Sequence, residues 1–77
     1  MKELVLYIAQ SLVADPNKVE VNEVEENGNV RIELKVAKED MGRIIGKGGR
    51  VANSIRVLLR VAATRAGKRV TLDVLEP

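Results

Sequence analysis

The sequence predicts an α+β domain, a three-stranded mixed sheet with three helices packed on one of its faces. Three observations carry that expectation. Apolar spacing switches along the chain from a helical period to a period of two and back. The pair Asn27-Gly28 stands between two strand-like runs, where it marks a hairpin. Two helix-like segments then precede a last alternating run, giving the order α-β-β-α-α-β.

Each element has a local reason. Leu4, Val5, Ile8, Leu12 and Val13 fall at helical spacing within Lys2 to Ala14, which makes a first amphipathic helix. Asp15-Pro16 stops it, because the residue before a proline is pushed out of the helical region. Val19 and Val21 begin a strand; Val24 falls out of their parity, leaving room for a bulge or strand end near Asn22. Asn27 and Gly28 tolerate the positive φ that a two-residue turn needs. Val30, Ile32, Leu34 and Val36 alternate with Arg31, Glu33 and Lys35, a strand with one buried and one wet face.

The stretch KEDMGRII reads as a short helix ending at Gly46, with Glu39 and Asp40 as favourable charges at its N-terminus. A longer helix follows from about Arg50 to Ala66, with Ala52, Ile55, Leu58, Leu59, Ala62 and Ala66 on its buried side. Gly67 caps it, and Lys68 and Arg69 suit the negative end of its dipole. Val70, Leu72 and Val74 alternate with Thr71 and Asp73 as the last strand. Two helices join the second strand to the third, so those strands are expected parallel through a right-handed crossover. The hairpin strands pair antiparallel, and all three helices cover the apolar face.

Composition sets bounds on function. At 77 residues the chain is one domain, residues 1–77, because it cannot bury two cores. Cysteine is absent, which excludes disulfides and thiolate metal sites, and histidine is absent, which removes the commonest metal ligand and general base. No apolar run approaches the roughly 20 residues that cross a bilayer. The N-terminal stretch does not read as a signal peptide, so a cytoplasmic location is expected. Glu20, Glu23, Glu25, Glu26 and Glu33 gather in the hairpin and no motif links them to a nucleophile. The chain is therefore expected to be no enzyme, with no catalytic residue, metal or cofactor.

Charge is divided along the chain. Between Met41 and Leu72 lie eight basic residues and no acidic one, while the remainder holds five basic and eleven acidic residues. The net charge of +2 conceals this segment, which points to a polyanionic partner. Inside it, Gly42, Gly46, Gly48 and Gly49 fall within eight residues. Each glycine in a regular element costs about 0.5–1 kcal/mol relative to alanine, so the cluster needs a reason. A P-loop fails, since Gly42 to Gly46 is one residue short, Gly48 follows Lys47 in place of a hydroxyl, and no strand precedes the loop. A dinucleotide fingerprint fails too, with glycines at 46, 48 and 49. What remains is G-x-x-G between two helices, Gly46-Lys47-Gly48-Gly49. Gly46 and Gly49 let a sugar–phosphate backbone approach without meeting a Cβ, and the next helix turns its positive end to the same phosphates.

Here the sequence resembles the K-homology (KH) RNA-binding family. IIGKGGRVA matches the family's isoleucine-glycine-x-x-glycine signature, and the element order matches the type II KH arrangement. The resemblance covers essentially the whole chain, and DMGRIIGKGGR is similar to the small stand-alone bacterial KH proteins of the KhpA type. It implies a non-catalytic RNA-binding protein that holds about four nucleotides of single strand over an apolar groove. By carry-over Gly46, Lys47, Gly48 and Gly49 form the clamp, with Gly42, Arg43 and Arg50 alongside. Ile45 belongs either to the groove floor or to ordinary core. Asn53 and Arg56, one and two turns up the second helix, would reach a base edge or a phosphate. Arg60, Arg65, Lys68 and Arg69 read as general electrostatics.

Many KH domains carry a larger aliphatic residue where this chain has Ala52, which widens the groove floor or shifts packing to Val51 and Ile55. Tyr7 is the only aromatic residue, so recognition by stacking platforms is not available. The resemblance further implies a homodimer, a heterodimer with a larger KH protein of the KhpB type, or both. The role it implies is RNA chaperone or post-transcriptional regulator; the alternative is a protein-interaction subunit whose main role is pairing with that larger KH protein in control of cell-envelope growth and division. It leaves open whether the loop serves RNA, the dimer contact or both.

Overall fold

The computed structural model describes residues 1–76, with Pro77 and the Lys47 side chain outside the described atoms. Its elements are α1 (Lys2–Leu12), β1 (Glu20–Glu26), β2 (Asn29–Lys35), α2 (Met41–Ile45), α3 (Arg50–Arg65) and β3 (Arg69–Leu75). Short 3-10 turns at Pro16–Lys18, Lys38–Asp40 and Lys47–Gly49 link them. The sheet runs in the order β1-β2-β3, with β1 antiparallel and β3 parallel to β2, as the crossover argument requires.

The core is one layer deep. Val21, Val30, Ile32, Leu34 and Leu72 point from the sheet onto Val5, Ala9, Ile44, Ile55 and Leu59 of the helices. Asn27 (φ 51°) and Gly28 (φ 79°) form the two-residue turn, so Glu26 faces Asn29 directly. At the far end of α3 the Gly67 N–H donates to the Thr64 carbonyl and the Lys68 N–H to the Ala63 carbonyl, at 3.1 and 2.8 Å. This is the paired C-terminal closure that a left-handed glycine permits.

Three expectations need correction. The register of β1 on β2 runs unbroken from Glu20 to Glu26, so there is no bulge near Asn22. Val24 simply faces out, opposite Arg31, because an intact ladder outweighs one half-wet valine. On α3 the buried stripe is Ala52, Ile55, Leu59 and Ala63; Leu58 is 50% exposed, and Ala66 lies at the exposed end. Helix α1 ends at Leu12, with Val13 already extended, and it buries Val5 and Ala9 while Leu4 and Leu12 sit at the rim.

The early end of α1 and the role of Asp40 have one cause. Asp40 is 2% exposed, and its carboxylate accepts the N–H groups of Ala14 at 3.0 Å and Asp15 at 3.2 Å. Those donors are drawn away from a further helical turn. Asp40 stands at the N-cap of α2 without a capping hydrogen bond, so its charge lies at that helix end while its carboxylate ties two segments together.

Candidate nucleic-acid interface

The turn between α2 and α3 is built by three glycines at positive φ: Gly46 at 49°, Gly48 at 72° and Gly49 at 89°. Gly46 is required twice over, since a Cβ there would also overlap the Val51 side chain. Around Gly48 a Cβ would meet nothing within 4 Å, so the turn presents bare backbone to solvent. The Gly46 carbonyl accepts the N–H groups of Gly49 and Arg50, at 2.7 and 3.0 Å, which fixes the turn directly against the start of α3. No side chain caps that start, leaving the positive end of a 16-residue helix directed at the loop.

Beside the turn a groove of about 510 Å³ opens between α3 and β3. Ile45, Gly49, Ala52 and Arg56 line one wall, and Leu72, Asp73, Val74 and Leu75 line the other. It continues past Arg56 toward Arg60, Val70 and Thr71. Its floor is apolar and its helical rim basic. No carboxylate among the described residues pairs with Arg50, Arg56 or Arg60. Strand β3 is a sheet edge, so main-chain groups on its outer side face the groove. The arrangement suits a narrow polyanion with flat apolar appendages.

The expected site residues gather unevenly. Gly46, Gly48, Gly49 and Arg50 form the turn and its exit, and the Lys47 side chain lies outside the described residues. Ile45 is 43% exposed and lines the groove, whereas its neighbour Ile44 is fully buried; ordinary core is therefore excluded for Ile45. Arg56 Nη1 donates to Asn53 Oδ1 at 3.1 Å, and Arg56 Nη2 reaches the Leu72 carbonyl at 3.4 Å. Arg56 thus spans the groove from helix to strand. Gly42 lies in α2 one turn before the loop and accepts the Gly46 N–H at 2.8 Å. Arg43 is held toward the N-terminal end of α2 by Asp40, Nε to Oδ1 at 3.3 Å, and is not drawn to the loop.

Lys68 does not face the groove freely, because its Nζ meets Glu25 at 2.7 Å. Sequence reasoning overlooked the β3 wall and set Arg60 aside as general electrostatics, although it lines the groove's continuation. The first was implied by topology, since β3 must lie at the sheet edge beneath α3. The second was implied by its i+4 spacing from Arg56. No helix of the described residues is long and apolar enough to cross a membrane.

The α-β-β-α-α-β order, the mixed sheet and the glycine turn between α2 and α3 together define a type II KH fold. The same fold is present in an Era variant from Aquifex aeolicus solved with GDP and aluminium fluoride, at a TM-score of 0.66 and 22% identity, over 97% of this chain and 29% of that one. It is present again in Era solved with MgGDPNP and nucleotides 1506–1542 of 16S ribosomal RNA, at a TM-score of 0.60 and 23% identity, over 95% of this chain and 28% of that one. The chain belongs to the KhpA/KhpB KH-domain family, whose profile matches residues 2–74. Similar proteins include RNA-binding protein KhpA of Caldanaerobacter subterraneus subsp. tengcongensis, 51% identical over 97% of this chain and all of that one. RNA-binding protein KhpA of Clostridium acetobutylicum is 47% identical over the same shares. Its namesake in Aquifex aeolicus is 41% identical over 99% of this chain and 96% of that one.

Proposed function

We propose that this chain is a non-catalytic RNA-binding protein that clamps about four nucleotides of single-stranded RNA on its G-x-x-G turn. The observation that carries this reading is a bare, left-handed glycine turn at the uncapped start of α3, set at the mouth of a basic-rimmed apolar groove. Phosphates lie against Gly46–Gly49 and Arg50. Bases lie over Ile45, Ala52, Leu72 and Val74. The relatives named RNA-binding protein KhpA support it. The cellular role that accords with this is post-transcriptional regulation or RNA chaperoning in the cytoplasm.

Exchange of Lys47 and Gly48 together for aspartate tests the clamp. Gly48 has open space around it, and aspartate is among the residues that tolerate its positive φ, so the fold is expected to survive. RNA binding is expected to vanish with the circular dichroism unchanged. Retained binding sinks the assignment, as would NMR shifts on RNA addition that spare the amides of residues 46–50.

A second surface favours pairing. Val57, Leu58 and Val61 are each at least 50% exposed on α3. At 100° per residue Leu58 and Val61 lie across the helix from Arg56. Self-association through this stripe leaves the groove open, and two clamps on one RNA gain avidity from effective concentration. Pairing with a larger KH protein of the KhpB type would use the same stripe. Sizing with and without RNA separates this from a loop-mediated dimer, which RNA would dissociate.

A further inference from the structure

We propose that Asn53 and Arg56 form a pair that presents N–H donors beside the glycine turn and so selects cytosine or guanine over adenine and uracil at that end of the groove, an inference that rests on the RNA reading above. The argument starts from their mutual hydrogen bond, Arg56 Nη1 to Asn53 Oδ1 at 3.1 Å. A guanidinium has donors and no acceptor, so the asparagine must turn its oxygen toward it. The Asn53 amide NH2 is then forced to the other side. It sits beside the turn, where a Cβ on Gly49 would stand 3.9 Å from Nδ2. Arg56 is itself fixed from the opposite wall by the Leu72 carbonyl, at a long 3.4 Å. The coupling settles an orientation that an isolated asparagine would leave free.

The consequence is chemical. The Asn53 oxygen is turned onto Arg56 and Arg56 has no acceptor, so what the pair turns away from that bond, toward the glycine turn, is N–H groups. The two side chains touch, which places those groups within reach of a single base edge. Cytosine sets O2 and N3 side by side as acceptors, and guanine does the same with O6 and N7. Adenine couples each acceptor on those edges with its amino donor, and uracil couples each carbonyl with N3–H. A donor facing these is left unpaired and desolvated. The rim carries charge enough for any phosphate, but this pair distinguishes bases.

The test uses the full chain and fluorescence anisotropy with labelled single-stranded octanucleotides of cytidine, adenosine or uridine, and one alternating guanosine and uridine. The cytidine and guanosine-containing strands are expected to bind about fivefold or more tighter than the other two. Asn53→Asp then separates chemistry from structure. It is isosteric and keeps an oxygen for Arg56, yet replaces the outward NH2 with an acceptor. Its added charge weakens all strands alike, so the readout is the ratio between strands, expected to fall to within about twofold at an unchanged thermal midpoint. Wild-type binding to all four strands within twofold overturns the proposal, and so does an unchanged ratio in the variant. Failure to bind any strand instead overturns the RNA reading, and this inference with it.

Discussion

Asp40 shows how much one side chain can hold in a domain of this size. Its buried carboxylate accepts two main-chain N–H groups from the segment after α1 and pairs with Arg43 on α2. Asparagine at this position keeps the shape but loses one acceptor and the charge, turning an amide donor toward a buried N–H. Asp40→Asn is expected to cost about 1–3 kcal/mol. Urea unfolding reads this as a lower midpoint with the slope unchanged. A loss below about 0.5 kcal/mol, the scatter of ordinary surface changes, would remove Asp40 from this role. Gly46 is the other residue with a double constraint, and there the conflict is steric as well as conformational.

Among the elements, α3 carries three surfaces at once. Ala52, Ile55, Leu59 and Ala63 face the sheet, Arg56 lines the groove with Asn53 bonded to it, and Val57, Leu58 and Val61 are turned to solvent. A helix that is apolar beyond one stripe implies that something else is buried. Leu58→Asp is expected to leave the fold intact, since the residue is already half exposed, and to shift the protein to monomer in sedimentation. A variant that sediments as the wild type does would rule the stripe out as the pairing face. Asn53 and Arg56 lie outside this stripe, so their hydrogen bond is unaffected by it.

Across the whole molecule, the division of charge along the sequence becomes a division in space, with Lys68 the exception at its contact with Glu25. The basic stretch from Met41 to Leu72 builds α2, the glycine turn, α3 and the start of β3, along one edge of the sheet. The acidic β1, with Glu20, Glu23, Glu25 and Glu26, forms the other edge, two strand spacings or about 10 Å away. Polyanions are therefore attracted to the groove and repelled from the hairpin side. With three or four phosphates neutralised on a single strand, log K is expected to fall with log salt at a slope of about −2 to −3. A slope near zero in a titration would contradict an electrostatic clamp.

The sequence by itself determined the element order, the hairpin turn and the place of the glycine turn, which follow from relations between near neighbours, and the parallel crossover, which follows from the order of the elements. Periodicity separates Val30–Val36 from the helices, and Asn27-Gly28 needs no distant partner to turn the chain. Only the tertiary structure decided what depends on residues far apart in the chain. Asp40 ends α1 from 25 residues away, β3 becomes a groove wall by lying under α3, and Leu58 is left outside the core that helical spacing had assigned it. The physical reason is that a periodic pattern fixes which side of a helix is apolar only to within about one residue's rotation. Which part of that side is covered depends on the neighbours that arrive there.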